Sequence, residues 1–564
     1  MTKTKFIISA LLAFALMSNA NAQTDWHHYP YTPSGSLISF ATDEGVHSDA
    51  SVTMEWWYLN FMLVGGVNDI YTGMLCYFRP LPLRIFNIGN VSTGEFYENA
   101  IPALGSYTFA TGHLQLTYDY SLSDIHDFWR WTYPDDSATF KYVLFAENPG
   151  DGCALNLTIT SNKSPLIVGG NGWVGLGDTG DSSFYYSLSN MRVTGSVDCG
   201  FWHDTITSGI VWLDRQWGPF IVNPESQYEW FSIQVDRIGA TIGSPTSSSA
   251  EFNIWQLFAD TSFLPSGPTG YMSNMRIGDS FSDTTSQFIF ERLAYWKDPD
   301  GERYFSHGWR YIDTLHNTCL EFFPMLENQM VTVAIMHYWE GGCFCSGIAN
   351  GIDVEGVAFA ELPRRTSHDI DPPDAPTSLS GTPSSGHVVL TWHSAVPGTY
   401  PIGGYRLYRA SGTRVYGNYI ATTNDTFFVD LTPPAGSIRY WVSSFDNQTG
   451  VSASRHAGPV VVSTVGIEND DKIIEGFVIG AFPNPFNSSC EISVLGSRFS
   501  VCEIKIFDIE GKLVEGLGEP NTENRTPITK FIWHPAPSIS SGIYLVRATA
   551  TNGQVIAKRI VYMK

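Results

Sequence analysis

Charge is scarce in this 564-residue chain. Asp, Glu, Lys and Arg make up 15% of it, and 32 Lys and Arg stand against 55 Asp and Glu, a net charge of −23. No Lys/Arg-rich run occurs. A phosphate backbone needs a basic patch and an anionic membrane a polybasic segment, so neither is an expected partner. Past the N-terminus no apolar run is long enough to span a bilayer as a helix. Long stretches of 3.6-residue periodicity are also missing, which excludes βαβ units and helix bundles. The common catalytic signatures H-E-x-x-H, G-x-S-x-G, C-x-x-C and the Walker loop are absent. Gly170-Asn171-Gly172-Trp173-Val174-Gly175 satisfies G-x-G-x-x-G. Leu176-Gly177-Asp178-Thr179-Gly180 follows, where a pyrophosphate would need a helix to open, so the segment reads as a Gly-rich β loop. His27-His28 reads as a solvated arm and Asp298-Pro299-Asp300-Gly301 as a turn rather than a calcium loop. No metal and no cofactor is expected.

What is abundant is apolar and aromatic: 43% hydrophobic residues, 14% aromatic, with 52 Gly, 27 Tyr and 17 Trp. This supports packed β-rich cores rather than disorder, and the length implies several domains. At the start, Lys3 and Lys5 precede an apolar run from Phe6 to Met17, and Ala20-Asn21-Ala22 fits a small-x-small cleavage site. Residues 1–22 are therefore read as a signal peptide of an exported protein. Eight cysteines are compatible with disulfides in that compartment; Cys490 with Cys502 is the one pair the spacing suggests.

From Trp26 to about Arg365, short β-like runs such as Glu55–Leu63, Tyr71–Phe78, Ile210–Asp214, Tyr228–Val235 and Val331–Trp339 alternate with Gly, Asn, Asp and Pro clusters. The pattern predicts antiparallel sandwiches or barrels. The segment is longer than one barrel needs, so two halves are expected, 23–222 and 223–365. A Pro-rich linker, 366–376, follows. Residues 377–465 resemble a fibronectin type III domain, with Trp392 on an early strand and Tyr440 where such a sandwich places its corner tyrosine. A polar linker, 466–476, leads to 477–564. There Phe482-Pro483-Asn484-Pro485-Phe486-Asn487, Asp508 with Gly511-Lys512-Leu513-Val514, and Ser541-Gly542-Ile543-Tyr544-Leu545-Val546 are similar to the C-terminal sorting domain of type IX secretion substrates. That resemblance implies a small Ig-like sandwich, the type IX machinery as a partner, and passage through the periplasm of a Gram-negative-type bacterium to the cell surface or the medium.

Four clusters remain. They are Asp43-Glu44-Gly45-Val46-His47 with Glu55-Trp56-Trp57-Tyr58; Tyr185-Tyr186-Ser187; Trp212-Leu213-Asp214-Arg215-Gln216-Trp217-Gly218; and His337-Tyr338-Trp339-Glu340-Gly341 with Gly356 to Leu362 behind it. In order and spacing they resemble the carotenoid 1,2-hydratases and related secreted AttH lipocalin-like hydrolases, a family that includes some fungal Diels–Alderases. The resemblance covers about 40–363. One departure stands out: members often carry His-Glu after the Asp, where this chain has Arg215-Gln216. The resemblance implies an all-β fold of two consecutive lipocalin-like domains with a ligand cavity in or between them, and it sets Asp214 at the position of the hydratase acid.

Read physically, a strand sends Trp212, Asp214 and Gln216 one way and Leu213, Arg215 and Trp217 the other. Burial among aromatics raises a carboxyl pKa, and a carboxyl kept protonated near neutrality can protonate an isolated C=C bond before water captures the cation. Trp56, Trp57, Tyr58, Tyr185, Tyr186, Trp212, Trp217, Tyr338 and Trp339 are the expected lining, their ring faces stabilising positive charge. From spacing alone Asp214 is a hydrogen-bond acceptor closing the Trp217-Gly218 turn; with the resemblance it is the general acid. Glu55 and Glu340 read first as buried carboxylates paired with Arg215 or Arg79, and second as catalytic groups. His47 reads as a turn former, and His203 and His337 as proton relays or satisfied buried histidines. The expected function is a secreted hydratase or hydrolase acting on an apolar, isoprenoid-like small molecule. The alternatives are a non-catalytic lipocalin-like carrier and a carbohydrate-binding surface protein. Carotenoid itself does not transfer as substrate, because those hydratases act on membrane-dissolved polyenes inside the cell.

Overall fold

The structure is a computed structural model. It describes residues 25–564 except 28–30, 67–68, 102–104, 133–139, 177–180, 201, 221–226, 260–267, 269, 280, 300–302, 334–335, 365–369, 385–386, 412–416, 454–455, 465–477, 483–485, 496–500, 518–527 and 551–554. The signal peptide, residues 366–369 of the first linker, the whole of the second and Pro483-Asn484-Pro485 of the sorting motif lie outside the described residues.

The described residues form strands and no helix. In the first unit a 13-stranded antiparallel sheet has the long strands Met54–Gly65 and Trp202–Gly218 side by side at its centre. Ile70–Arg79 flanks the first and Ser182–Cys199 the second. A second antiparallel sheet centres on Tyr228–Arg237, Ile352–Leu362 and Met336–Ala349, with Ala250–Leu257 beside the first of these.

The central strands are apolar on both faces, and alternation sorts each strand into two layers. Trp57, Leu59, Phe61 and Leu63 point into a core with Tyr77, Trp129, Leu157 and Leu213. Phe231, Ile233, Phe252, Trp309 and Ala360 fill the core of the second sheet. The opposite faces of the same strands meet each other. Tyr58, Met74, Cys76 and Trp212 of the first sheet share a cluster with Trp230, Val331, Val333 and Phe359 of the second. This is a lipocalin-like architecture with three apolar layers, two inside the sheets and one between them.

Cys153 and Cys199 are register partners on neighbouring strands and form a disulfide, as suits an exported chain. The Cys502 side chain lies outside the described residues, and with it the suggested Cys490–Cys502 pair.

In the second unit, two small sheets enclose Trp392, Tyr405, Leu407, Tyr440 and Val462. Tyr440 donates its hydroxyl to Asp430 at 2.7 Å, and Arg409 holds the same carboxylate at 2.7 Å. Tyr440, expected to be a corner tyrosine, thus bonds a charged side chain. Two further sheets enclose Ile492, Ile504, Ile506, Trp533, Val546 and Ile560.

An ionic joint ties the two sheets of the first unit together. Lys163 donates to Glu251 at 2.7 and 2.8 Å, Arg276 donates to Glu251 at 3.1 Å, and Asn190 adds a bond at 3.0 Å. Burial opposes the Glu251 anion, but Lys163 and Arg276 outweigh it and hold its carboxyl below the usual range. Removing the shared anion strands two buried cations. Glu251→Gln is expected to cost about 3–5 kcal/mol, read as a lower urea midpoint by tryptophan fluorescence.

Candidate functional site

The Trp202–Gly218 strand places Asp214 in the layer between the sheets. Alternation divides its neighbours as the motif implies: Trp212 joins the inter-sheet cluster, whereas Leu213 and Trp217 enter the first core. Across the strand pairs, Asp214 stands opposite Tyr58 on one side and Ser187 on the other. Three neutral donors converge on its carboxyl. Tyr185 donates its hydroxyl to Oδ2 at 2.6 Å, Trp212 Nε1 donates to Oδ1 at 2.6 Å, and the Ser187 hydroxyl donates to Oδ1.

The second sheet fixes this arrangement. Asn253 Nδ2 and Trp230 Nε1 donate to the Tyr185 oxygen at 2.7 and 3.1 Å. Both are pure donors there, so they fill the acceptor positions of the phenol and aim its proton at Asp214. Ser187 is the one partner of Asp214 whose hydroxyl can turn from donor to acceptor when the carboxyl is protonated. Burial pushes the Asp214 carboxyl up to about 7, although its three donors favour the anion. No arginine or lysine offsets the burial.

Two more acids lie in the same layer. Glu340 and Glu361 are direct cross-strand partners. Burial, then the charge of Glu361, drives the Glu340 carboxyl well above the carboxylate range. Burial raises Glu361 to about 7, against the hydrogen bond it accepts from Tyr228 and with help from Asp214. Trp56, Phe78, Tyr228, Trp255 and Tyr338 are only partly buried. They are the more accessible aromatic side chains packed against this layer.

Several residues expected to line the site are placed elsewhere. Trp57, Tyr186 and Trp217 pack inside the first core, on the far side of the sheet from Asp214. Trp339 packs in the second core and donates Nε1 to the Glu327 carbonyl at 2.9 Å. His337 is half-buried against the Thr332 hydroxyl at 3.2 Å, and His203 is exposed beside Asp198. The physical reason is the two-residue period: neighbours within Glu55-Trp56-Trp57-Tyr58, Tyr185-Tyr186 and Tyr338-Trp339 leave opposite faces. Trp56, Tyr58, Tyr185, Trp212, Tyr338 and Glu340 come together with Asp214; the others do not.

Glu55 belongs to a separate network. It receives the Arg215 guanidinium, Arg79 at 3.3 Å and the His47 ring at 2.7 Å. Burial works against the anion, but Arg215 and His47 outweigh it and hold the Glu55 carboxyl at about 2. His47 stacks on Trp217 with ring centroids 4.4 Å apart, and Arg215 lies 4.1 Å over the Trp57 ring. Arg215 is therefore an anchor for Glu55 and the loop carbonyls of Glu44 and Gly45. Glu340, by contrast, has no arginine. Ser187, Asn253, Trp230, Tyr228 and Glu361 were not singled out as site residues. Ser187 and Glu361 stand inside the quoted motifs; Asn253 and Trp230 carry no local signal.

This geometry defines a two-sheet β protein with a buried acid between the sheets. The chain belongs to the AttH-like family, whose model matches residues 31–364, and residues 480–562 match the secretion system C-terminal sorting domain. Among solved structures, it is similar to a candidate AttH protein from Nitrosomonas europaea, 17% identical, covering 59% of this chain and 99% of that one with a TM-score of 0.45. It is also similar to kievitone hydratase from Nectria haematococca, 15% identical, covering 60% of this chain and 98% of that one with a TM-score of 0.43. A search of curated proteins finds no match. The sorting domain marks the protein as a type IX secretion substrate delivered to the cell surface or beyond. No helix among the described residues is long and apolar enough to cross a membrane.

The Asp214 shift has a consequence for stability. The folded carboxyl keeps its proton to about 7, while its ordinary value is 3.8. Its contribution is fully present below the ordinary value and is lost as pH rises through about 7. Asp214→Asn is expected to flatten stability between about pH 5 and 7 by up to roughly 1.4 kcal/mol per pH unit, read from urea unfolding at several pH values.

Proposed function

We propose that this protein is a secreted hydratase-type enzyme that adds water to a C=C bond of an apolar, isoprenoid-like small molecule, with Asp214 as the general acid. The observation that carries this reading is Asp214 itself: a buried carboxyl raised to about 7, held by Tyr185, Ser187 and Trp212 and by no cation. An acid tuned near the working pH is half-protonated there, which suits proton donation. The mechanism begins with an apolar ligand seated at the rim of Trp56, Phe78, Tyr228, Trp255 and Tyr338. Asp214 gives its proton to one alkene carbon, and the rings of Trp212, Trp230 and Tyr58 stabilise the cation left on the other. Tyr185 and Trp212 then hold the new Asp214 carboxylate by hydrogen bonds. Tyr185 stays protonated throughout, since burial and Asp214 drive its phenol well above 10.

The chain organisation accompanying this activity is a signal peptide over 1–22, lipocalin-like halves over 23–222 and 223–365, and linkers over 366–376 and 466–476 ahead of the fibronectin-like and sorting modules. A carbohydrate-binding platform finds less support: Trp173, at 47% exposed, is the one tryptophan strongly exposed among the described residues.

Squalene in water labelled with heavy oxygen tests the reading. The purified protein is expected to yield a tertiary alcohol carrying the label, and Asp214→Asn to lower kcat/KM by about 10²–10⁴-fold while squalene still binds. Label incorporation by Asp214→Asn at the wild-type rate overturns the acid assignment. Binding without turnover by the wild type makes the protein a carrier.

A further inference from the structure

Facing Asp214, the second sheet brings two glutamates together. Glu340 and Glu361 are directly opposed on neighbouring strands, so both side chains leave the same face of the sheet. It is the face that carries Tyr338 and Phe359 into the inter-sheet cluster with Trp212 and Tyr58. Glu340 is 1% exposed, and neither of its oxygens receives a hydrogen bond of good geometry, although the Tyr58 and Tyr338 hydroxyls stand close enough to favour its anion. Glu361 accepts the Tyr228 hydroxyl and keeps some exposed surface.

The titratable groups around the pair come from each packed strand. They are Tyr58 from Met54–Gly65, Cys76 from Ile70–Arg79, Asp214 from Trp202–Gly218, Tyr228 from Tyr228–Arg237 and Tyr338 beside Glu340. None of them is a cation. Buried like charges this close cannot both ionise near neutrality, so the pair keeps one proton between two carboxyls. A buried polar group without a partner calls for an explanation. Here the pair anchors no arginine and closes no turn, and the Glu340 carboxyl, with only the Tyr58 and Tyr338 hydroxyls near it, lies in the layer where a ligand and its water would sit.

We propose that Glu340 and Glu361 form a single acid–base pair that accepts the proton released by the attacking water. This rests on the hydration reading above. Asp214 transfers its proton to one alkene carbon, and the π electrons form the new C–H bond. A lone pair of water forms the C–O bond at the cationic carbon. The surplus proton on that oxygen then passes to the pair, through the partly exposed Glu361. One water is added, one proton moves from Asp214 to the pair, and no oxidant or reductant takes part. The next turnover follows when the pair releases its proton to solvent and Asp214 regains one.

The test compares Glu361→Gln, Glu340→Gln and Asp214→Asn in the full-length protein, each with near-ultraviolet circular dichroism like the wild type, on squalene across pH. Glu361→Gln is expected to lower kcat/KM on the order of a hundredfold. Glu340→Gln keeps the accepting Glu361 carboxylate and replaces only its proton-sharing partner, so a smaller loss is expected. Infrared titration of Asp214→Asn is expected to show a protonated carboxyl band above the ordinary carboxylate range that is lost when both glutamates are replaced by Gln. If both glutamate variants keep the wild-type rate and profile while Asp214→Asn is inactive, the pair's role falls and the Asp214 reading stands. Two separate titrations in the ordinary carboxylate range also overturn the pair. If the wild type adds no water to squalene, the hydration reading falls and takes the pair's role with it.

Discussion

The rest of the structure depends on one constraint: the central strands of both sheets are covered on both faces. Trp202–Gly218 has the first core on one side and the second sheet on the other. Any polar side chain on such a strand must find its partners inside the protein. The only places to find them are the neighbouring strands and the opposite sheet. Asp214 takes Ser187 and Tyr185 from the next strand, and Tyr185 in turn takes Asn253 and Trp230 from the opposite sheet. The acid is thus oriented by residues that only meet when the two sheets stack.

The same constraint separates charged carboxylates from protonated ones. Burial alone opposes every anion in this layer. Glu55, with Arg215 and Arg79, and Glu251, with Lys163 and Arg276, are compensated and stay charged. They pin a loop to the first sheet and one sheet to the other. Asp214, Glu361 and Glu340 meet only neutral donors or each other, so they hold protons at a pH where ordinary carboxylates have lost them. Among these five carboxyls, the two with cations in contact stay charged and the three without keep a proton.

Export sets the outer terms. A cross-strand disulfide and a C-terminal sorting domain both fit a life outside the cytoplasm. The aromatic wealth of the chain is shared among the two cores, the layer between them and the cores of the smaller sandwiches, so it is not the signature of a single lined lumen.

Much of this was legible in the sequence. Period-two runs between Gly, Asn, Asp and Pro clusters specified strands, because side-chain alternation is a local property of extended backbone. The same alternation correctly parted Trp212 and Asp214 from Leu213 and Trp217. The motifs carried the family. Which of two adjacent aromatics faces the site was settled only when each sheet acquired an inside and an outside, so Trp57, Tyr186 and Trp339 could not be told from Trp56, Tyr185 and Tyr338 in the chain alone. Asn253 and Trp230 reach Tyr185 from strands remote in sequence, and no local pattern marks them. The sequence by itself determined the strands, their two faces and the family; the tertiary structure decided which face was turned to the second sheet, which carboxylates met a cation, and which ones keep a proton near neutrality.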